Sequence, residues 1–501
     1  MDPGPLILAL DLGLSHAKCV VFRPDGTLVD RASVAYPTHR RAGSIVEQDP
    51  ADWWAALVAA TRAIGDRAPA TMRAVEAVGV TGHMHGLVLE DAARRPIGPA
   101  IVLGDQRAAG AAEAMTERLG ATWIARTTGA TLDPSMPAAE LAWLAESEPE
   151  RLARATLATG PKDHLRGRLT GDRLSEPVDA CATALYDIRA ARWSVDMLAA
   201  AGVSAGLLPE VVACETIAGR LREEPAADLG LRPGIPVVVG AGDDVEVLGA
   251  GLTEPGEALE HLGTTGSILA VTSEPSEDPR LALELYPHVL PDRWVVGGSL
   301  TTAGAALAWV ASILGFDDVG AMLSSLDDGT AGSDDRIDPI FIASMAGDRC
   351  PTRDPLARGA WTGLDATFDR AGLARSAFEG VARALARILA SIEDLLGRQD
   401  RVVVSAGGVD LDPRWLAVRS ASYGLPLATL ETPEPTALGL ATVVAAGVGI
   451  HPDIEAAVRT MSRRGPDVGS VRPRDDRSAM LAERSDRAAE ALRAAWPHLG
   501  G

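Results

Sequence analysis

The first half of the chain alternates short apolar runs with stretches that are apolar at helical spacing. LILALDLG, AKCVVFRP and LVDRASVAYP, which begin at residues 6, 17 and 28, predict three hairpin-linked strands. DPADWWAALVAATRAIGD opens with Asp49 and Pro50, an N-cap and a first-turn proline, and predicts a helix. AVEAVGVTGHMHGLVLED predicts a strand, a turn and a strand, and a longer helical region is predicted from PAAELAWLAESEPERLARA to KDHLRGRLTG.

Near residue 230 the pattern restarts. GIPVVVGAGDDVEVLGAGL leads into GEALEHLGTTGSILAVTSE, whose strand, glycine turn and strand echo the opening hairpin. RVVVSAGG then predicts a buried strand, ALGLATVVAAGVG a helix of small residues, and the charged tail from about 463 to 485 a solvated loop followed by a helix. Two halves that open alike predict two similar α/β domains, residues 1–242 and 243–501, facing one cleft.

Composition and charge limit the class of protein. At 501 residues the chain is too long to fold around a single hydrophobic core. Its 47% apolar and 23% charged residues are typical of a globular protein. A net charge of −21 argues against nucleic acid or an anionic membrane surface as a partner, but not against ATP, which local loops and a metal ion hold. The four cysteines have no CxxC spacing, which predicts buried thiols in a reducing compartment. MDPGP has no signal sequence and no apolar run reaches membrane length, so a soluble cytoplasmic protein is predicted.

The opening hairpin is the first candidate for chemistry. Asp11, Gly13, Ser15 and Lys18 stand at or beside its turn. Backbone N–H groups of such a turn can bind phosphate, and the carboxylate can hold a metal-bound water. A plain tight turn explains this patch alone equally well, because Leu14 stands where phosphate loops usually offer a hydroxyl.

LGTTG and GAGDD are the next two candidates. Gly263, Thr264 and Thr265 offer backbone donors and hydroxyls to an anion at the second half's hairpin. Asp243 and Asp244 cannot both face inward on a strand, but at a strand-to-helix turn both can line a cleft. The alternative for the two acids is an ordinary helix N-terminus.

GHMHG and SAGGVDLDPRW complete the set. His83 and His85 have no third ligand at a recognisable spacing, so hydrogen bonds to a polyol are a better functional interpretation than a metal site. A structural histidine remains the alternative. The glycines of SAGGVDLDPRW, residues 405–415, predict either a nucleotide cradle or a turn between strand and helix.

In this order the patches resemble the FGGY carbohydrate kinases, and within them the xylulokinases, from about residue 6 to about 450. GHMHG is similar to the family's GQMHG, PKDHLRGRLTG to PKDYLRxRxTG and GAGDD to GGGDN. LGTTG resembles the second phosphate loop, AGGVDLDPRW the adenine-side signature, and EPTALGLA the helix that follows it. EQDPADWW looks like the acidic stretch ahead of the first long helix.

The resemblance implies two actin-like, ribonuclease-H-like α/β domains, with Mg-ATP and sugar in the cleft between them. It implies a homodimeric kinase that phosphorylates a pentulose, foremost D-xylulose to xylulose 5-phosphate. Asp11 would hold Mg²⁺ through water, and Asp243 would be a second metal-site residue and would take the proton from the attacking hydroxyl. The implied sugar-binding residues are His83, Met84, His85, Asp105 and Asp244, and the implied ATP-binding residues are Gly13, Ser15, Lys18, Gly263, Thr264, Thr265, Gly304, Gly407, Gly408 and Asp412.

Departures from the family pattern leave alternatives open. Leu14 replaces a usual threonine, Gly104 an asparagine, His83 a glutamine and Asp244 an asparagine. Another ketose, a polyol or a cyclitol is therefore an alternative acceptor. A catalytically weak sugar- or nucleotide-binding regulator is a further alternative, although a degenerate enzyme has no chemical reason to keep both predicted catalytic acids. An actin-like assembly ATPase would have no use for the sugar-side motifs.

Overall fold

The computed structural model describes residues 4–42, 44–326, 339–354, 356–404, 411–468 and 476–495. The chain forms two compact units. Unit 1 consists of Met1–Thr253, Leu285–Trp294 and Glu434–Arg463, and unit 2 consists of Glu254–Glu284, Val295–Pro433 and Arg464–Gly501. The predicted boundary between residues 242 and 243 falls inside unit 1, because the turn at Asp243 and the helix after it pack with that unit.

Short strands and helices of varied length alternate along the chain. The strands are β1 (Leu6–Leu12), β2 (His16–Phe22), β3 (Leu28–Ala35), β4 (His39–Arg41), β5 (Ile45–Gln48), β6 (Val75–Gly82), β7 (Val88–Glu90), β8 (Ala100–Ile101), β9 (Leu157–Thr159), β10 (Leu174–Ser175), β11 (Tyr186–Asp187), β12 (Arg192–Trp193), β13 (Glu210–Val211), β14 (Ile217–Arg220), β15 (Pro236–Val238), β16 (Glu257–Leu262), β17 (Gly266–Thr272), β18 (Glu284–Pro287), β19 (Trp294–Leu300), β20 (Ile340–Ile342), β21 (Ala360–Thr362), β22 (Arg401–Val404), β23 (Leu427–Leu430) and β24 (Arg464–Val468). The helices are α1 (Pro50–Arg67), α2 (Pro69–Arg73), α3 (Ala109–Leu119), α4 (Ala121–Thr128), α5 (Pro137–Ser147), α6 (Pro149–Ala153), α7 (Pro161–Thr170), α8 (Pro177–Ala182), α9 (Val195–Ala201), α10 (Glu223–Leu229), α11 (Glu246–Gly249), α12 (Gly304–Ile313), α13 (Val319–Ser324), α14 (Arg370–Leu396), α15 (Pro413–Tyr423), α16 (Pro435–Gly447), α17 (Ile454–Met461) and α18 (Asp476–Ala495).

The main sheet of unit 1 has the strand order β14-β15-β6-β1-β2-β3. Strand β1 pairs antiparallel with β2 and parallel with β6, and β2 pairs antiparallel with β3. The three hairpin-linked strands predicted from the apolar pattern are thereby confirmed. All seven residues of β1 are buried, as expected for a central strand covered on both faces.

Helix α1 begins as its sequence predicts. The Asp49 carboxylate accepts a hydrogen bond from the N–H of Ala51 at 2.9 Å, and Pro50 takes the first helical position. Trp53 is fully buried, and its indole N–H donates to the Gln48 side chain at 2.9 Å. The polar end of this large side chain is therefore satisfied inside the core.

The predicted helical region in the middle of unit 1 is interrupted, which corrects the expectation. Helices α5, α6 and α7 are separate, and the short strand β9 lies between α6 and α7. β9 pairs antiparallel with β7, a strand from a much earlier part of the chain (Glu90 opposite Leu157). Three apolar residues suit a helix or a strand equally, so the distant partner decides the outcome.

Unit 2 repeats the strand order of unit 1. Its sheet contains β19-β17-β16-β22-β23-β24 in that order, with an antiparallel β16–β17 hairpin and a parallel β16–β22 pair. This matches β3-β2-β1-β6-β15, so the predicted echo of the opening hairpin is confirmed. The tail prediction was wrong in part, because Arg464–Val468 forms β24 against β23, and correct for the helix that follows.

Helix α16 lies against the turn at Asp243 because its residues are small. A Cβ added to Gly439 would meet the Val245 carbonyl oxygen at 2.0 Å, and one added to Gly249 would meet the Pro435 carbonyl oxygen at 1.9 Å. Only glycines allow backbones to approach so closely. The small-residue segment EPTALGLA therefore serves to bring α16 next to α11.

The cysteines and the apolar segments can be compared with what the composition predicts. All four cysteines are buried and none forms a disulfide, which confirms that they are buried thiols. In the described part of the chain, no helix combines the length and the apolar character that a membrane span needs.

Candidate active site

Asp243 and Asp244 lie in a turn rather than on a strand. After β15 the chain makes a 3-10 turn over Asp243–Val245 and continues directly into α11. Both acidic residues are partly exposed, and neither side chain caps the turn. This is the strand-to-helix arrangement that lets both carboxylates face one side. Both acids also lie in the first turn at a helix start, as the alternative of an ordinary helix N-terminus expects.

Several carboxylates act on Asp243. Partial burial, together with the carboxylates of Asp244, Asp11, Asp179 and Glu246, raises the pKa of Asp243 well above its usual value. Each neighbouring negative charge disfavours ionisation of the others. The turn thus carries an excess of negative charge that a cation would relieve.

Asp11 is the next-to-last residue of β1 and belongs to the same set of charges. Burial raises the pKa of Asp11 to about 6, opposed by Lys18 and reinforced by Glu434 and Glu246. Lys18 stands opposite Asp11 on β2, with its Nζ 3.0 Å from a Glu434 oxygen and 4.0 Å from an Asp11 oxygen. The predicted ATP ligand Lys18 is therefore paired with Glu434 in this structure.

The tip of the first hairpin is ordered by contacts within the protein. The Gly13 N–H donates to the His16 carbonyl at 3.0 Å, and the Leu14 carbonyl accepts from the Gln48 side chain at 2.8 Å. The exposed Ser15 hydroxyl lies 3.0 Å from Nδ1 of His16. The Gly13 N–H closes the turn, so phosphate binding here would depend on the other donors of the loop.

Met84 lies beside the turn at Asp243, and His85 follows it in the chain. A Cβ added to Gly242 would come within 2.6 Å of the Met84 sulfur, which places that side chain directly against the turn. His85 has a positive φ of 61°, and its Nδ1 is 3.0 Å from the Ala182 carbonyl oxygen. A strained backbone held by a specific contact is common at functional sites. The structure thus brings the predicted sugar loop and the predicted base together within unit 1.

His83 occupies a different environment. It is 2% exposed and lies edge-on to Trp53, with 5.9 Å between ring centroids. Neither ring nitrogen has a hydrogen-bond partner among the described residues. Burial lowers the pKa of His83 to about 4, with His85 adding to the shift and the Met84 backbone opposing it. The ring is neutral in the core, so its contact with a sugar stays a prediction.

Both carboxylate oxygens of Asp105 accept hydrogen bonds from other residues of the protein. One carboxylate oxygen accepts from the backbone and Nε of Arg107, both at 2.9 Å, and the other from the Val46 N–H at 2.7 Å and Arg107 Nη2 at 2.8 Å. Arg107 also donates to Glu47 at 2.8 Å and lies 5.4 Å from the Trp143 ring centre. The fully buried Asp105 carboxylate organises this loop, and its direct contact with a sugar stays a prediction.

Glu140 was missed by the sequence analysis. It is fully buried in the first turn of α5, and neither carboxylate oxygen has a hydrogen-bond partner among the described residues. Burial, followed by the nearby charge of Asp105, raises the pKa of Glu140 well above its usual value. The only sequence signal was a glutamate among apolar neighbours in PAAELAW.

Glu176 was also missed. Its carboxylate accepts a hydrogen bond at 2.9 Å from the N–H of Gly242, the residue before Asp243. Lys162, from the PKDH motif, lies 3.5 Å from the same carboxylate and is fully buried. PKDH and Glu176 are far from GAGDD in the sequence, so no local pattern predicted the contact between Glu176 and Gly242.

In unit 2 the second glycine loop meets a helix N-terminus. The Gly304 N–H donates to the Gly263 carbonyl at 2.9 Å, and the Ala303 and Ala305 N–H groups donate to the Thr264 carbonyl at 3.0 and 3.1 Å. Thr264 and Thr265 are exposed, and α12 begins at Gly304. Glycine loop and helix N-terminus together are a usual site for an anion.

The third predicted ATP segment is described only in part. Asp412 caps α15, where its carboxylate accepts from the Arg414 N–H at 2.9 Å, and the Arg414 side chain lowers the pKa of Asp412. Its carboxylate is thus engaged at the start of the helix. Gly407 and Gly408 lie outside the described residues.

The acids of unit 1 fit a magnesium ion bound together with nucleotide. Among the described residues, no three histidine, cysteine or acidic side chains form a ready-made metal site. The donors at Asp11 and Asp243 are all carboxylate oxygens, and the pKa values of both are raised first by burial and further by neighbouring carboxylates. Mg²⁺ is typically held by one or two carboxylates, waters and substrate phosphates, which is the donor set available at this turn.

Comparison with known proteins identifies the family. The N-terminal domain model of the FGGY family of carbohydrate kinases matches residues 6–249, and its C-terminal domain model matches residues 259–448. A xylulose kinase of Escherichia coli (strain K12) is 32% identical over 383 residues, 76% of this chain and 77% of that protein. A gluconokinase of Bacillus subtilis (strain 168) is 25% identical over 446 residues, 86% of each protein.

A crystal structure of a "xyloylose kinase" from Brucella ovis superimposes with a TM-score of 0.88 at 28% identity, covering 99% of this chain and 100% of that chain. The predicted two-domain, actin-like α/β fold is thereby confirmed. Both halves of the chain match their family models in order. The chain belongs to the FGGY family of carbohydrate kinases.

Proposed function

We propose that this protein transfers the γ-phosphate of Mg-ATP to a hydroxyl of a pentulose, foremost D-xylulose, to form xylulose 5-phosphate. Membership of the carbohydrate kinase family and the xylulose kinase among its relatives support the proposal. The observation that carries it is the position of Asp243, a partly exposed carboxylate with a raised pKa that directly follows Gly242, the residue packed against Met84 of the predicted sugar loop.

Asp243 accepts the proton of the attacking hydroxyl. A base acts best when its pKa is close to the working pH, and burial together with the neighbouring acids raises the pKa of Asp243 in that direction. Asp244 hydrogen-bonds the sugar, and Asp11 holds Mg²⁺ through water. Bound Mg²⁺ supplies positive charge that balances the phosphates and the carboxylates.

Each unit contains a loop with candidate donors for phosphate. The loop of Gly263, Thr264 and Thr265 offers two exposed threonine hydroxyls, while the Gly263 N–H donates to the Thr265 carbonyl at 2.9 Å. The N-terminus of α12 at Gly304 adds the positive end of a helix dipole. The first hairpin contributes through Gly13, Ser15 and Lys18, as the family resemblance implies. Gly407, Gly408 and Asp412 serve the adenine side on the same basis.

A substrate panel tests this proposal. ADP release would be followed with D-xylulose, D-ribulose, D-gluconate, glycerol and a cyclitol as acceptors, and the product identified by phosphorus NMR. We expect the highest kcat/KM with D-xylulose and a 5-phosphate product. No acceptor-dependent ADP release with any member of the panel would contradict a kinase function.

A different acceptor is the second candidate. Gly104, His83 and Asp244 depart from the residues that the resemblance leads us to expect, and a gluconokinase is among the relatives. On this alternative D-gluconate, or another polyol or cyclitol, would give the highest kcat/KM in the same panel. The panel therefore separates the two candidates.

The cysteines bear on the cellular setting of the protein. The four buried thiols fit a reducing compartment, so we place the protein in the cytoplasm. The resemblance implies a homodimer, and light scattering on the purified chain would measure the mass, with a monomer of 52.1 kDa as the reference.

A further inference from the structure

Helix α8 contacts both loops of the proposed active site. At its N-terminus, Oε1 of Glu176 accepts the Gly242 N–H at 2.9 Å, and the same carboxylate accepts two N–H groups of the helix's own first turn at 2.7 and 3.0 Å. At its C-terminus, the Ala182 carbonyl oxygen lies 3.0 Å from Nδ1 of His85. One short helix thus connects the turn of the base with the predicted sugar loop.

Gly242 is held from two sides. The Met84 side chain occupies the space that a Cβ would need, with Met84 Sδ 2.6 Å and Cγ 2.8 Å from that position. Glu176 holds the N–H of the same residue. Because Asp243 follows Gly242 directly, these two contacts determine where its carboxylate is placed.

Lys162 provides the charge that balances Glu176. Its ammonium group is fully buried, 2.6 Å from Asp163, 3.4 Å from Asp179 and 3.5 Å from Glu176. Removing one member of such a buried charged cluster leaves an uncompensated charge. An ionised acceptor makes a stronger hydrogen bond than a neutral one, so Lys162 strengthens the contact between Glu176 and Gly242.

We propose that Glu176 is a positioning residue for phosphoryl transfer, whose carboxylate, balanced by Lys162, anchors the Gly242 N–H and so places Asp243 against the loop of Met84 and His85. The inference rests on the proposed function, in which Asp243 is the base. A purely structural glutamate would cap α8 and have no separate effect on turnover.

Two substitutions of Glu176 in the 501-residue chain test the inference. Glu176→Ala removes the anchor, and a misplacement of about 1 Å can cost about 10²-fold in rate, so we expect kcat to fall on that scale. The KM values for D-xylulose and ATP should stay within about twofold, since neither ligand contacts Glu176 on this proposal. Glu176→Gln keeps an acceptor oxygen without the charge and should restore part of the lost kcat.

Hydrogen exchange provides a readout that does not need activity. In Glu176→Ala the peptide that covers residues 239–245 should exchange faster than in the wild type, while peptides from unit 2 stay unchanged. As a control, Asp453→Asn alters another N-cap carboxylate of unit 1, which accepts from the Ala456 N–H at 2.7 Å. It should leave kcat and the exchange of residues 239–245 unchanged.

The outcomes separate the inference from the proposed function. Unchanged kcat in Glu176→Ala, measured well below its melting temperature, would overturn the inference. Faster exchange throughout unit 1, together with a fall in kcat and a rise in both KM values by similar factors, would also overturn it. An inactive wild type would contradict the proposed function. Faster exchange confined to residues 239–245 in that case would still support the anchor of the turn.

Discussion

At the scale of single residues, the two acids of the turn should differ in their effect on turnover. Asp243→Asn removes the proposed base, so kcat should fall by about 10²–10⁴-fold while sugar and ATP still bind. Asp244→Asn should be mild, because an amide can still hydrogen-bond the sugar. Steady-state kinetics and calorimetric binding would measure both variants, and an inactive Asp244→Asn beside an active Asp243→Asn would reverse the assignment.

His83 should make the stability of the protein depend on pH. Its pKa is about 4 in the folded protein and 6.5 as the reference value, so below pH 6.5 the unfolded chain binds a proton that the folded protein does not. This stability is lost as the pH falls from 6.5 towards 4. At pH 5.5 the loss is about 1 kcal/mol.

His83→Gln provides the comparison. Urea unfolding of both proteins at pH 7.5 and 5.5 would give the free energies of unfolding. We expect the variant to lose about 1 kcal/mol less than the wild type on acidification. Equal losses would show that the imidazole takes up a proton in the folded state.

The buried carboxyl group of Glu140 should lower the free energy of unfolding of the protein. Its carboxyl group is buried without a hydrogen-bond partner in the described residues, and such a group typically costs about 1–3 kcal/mol. Glu140→Met should therefore raise the free energy of unfolding at pH 8 by an amount of that order. Glu117→Met, at an exposed position of α3, should stay within about 0.5 kcal/mol of the wild type. A destabilised Glu140→Met would show that the carboxyl group makes a favourable contact.

At the scale of elements, the contact between α16 and the turn at Asp243 can be tested through one glycine. In Gly439→Ala the new Cβ would lie 2.0 Å from the Val245 carbonyl oxygen, so either the helix or the turn must move. Overpacking of this kind typically costs about 1–3 kcal/mol, and kcat should fall as well because Val245 belongs to the same turn as Asp243.

Gly110→Ala is the matched control. Gly110 lies in α3 with no atom within 4 Å of its added Cβ, and the substitution should stabilise the protein by about 0.4–1 kcal/mol. Melting curves and kcat of both variants would be compared. Normal stability and activity in Gly439→Ala would mean that α16 does not support the turn.

The elements also show where sequence patterns were insufficient. β1, β2 and α1 follow from local signals, namely apolar alternation, a tight turn and the Asp49–Pro50 start of a helix. β9 and β24 did not follow, because each is a short segment whose partner strand lies elsewhere in the chain. So short a strand is stabilised by that partner rather than by its own propensity.

At the scale of the whole molecule, magnesium should affect stability even without ATP. Mg²⁺ that binds near Asp11 and Asp243 favours the folded protein, so the melting temperature should rise with its concentration. Asp11→Asn and Asp243→Asn should reduce this rise. Asp196→Asn removes an exposed acid on α9 and controls for general screening of the net charge of −21. Equal rises in all variants would exclude a specific site at these acids.

The sequence by itself determined the family, the repeated glycine hairpin and the chemistry available at Asp11, Asp243, Met84 and His85. These features are local: a turn, a cap or a short motif contains the information within a few residues. The sequence also indicated the close approach of α16, through glycines and alanines where backbones must nearly touch.

Only the tertiary structure decided how those residues are supported. Glu176 accepts a hydrogen bond from Gly242, 66 residues further along the chain, and Lys162 on another helix balances the charge of that carboxylate. The Asp105 carboxylate is hydrogen-bonded by Arg107 and Val46. His83 and Glu140 are buried without hydrogen-bond partners among the described residues, which no local pattern reveals. Burial and charge pairing depend on what the rest of the chain places around a side chain, and therefore appear only after folding.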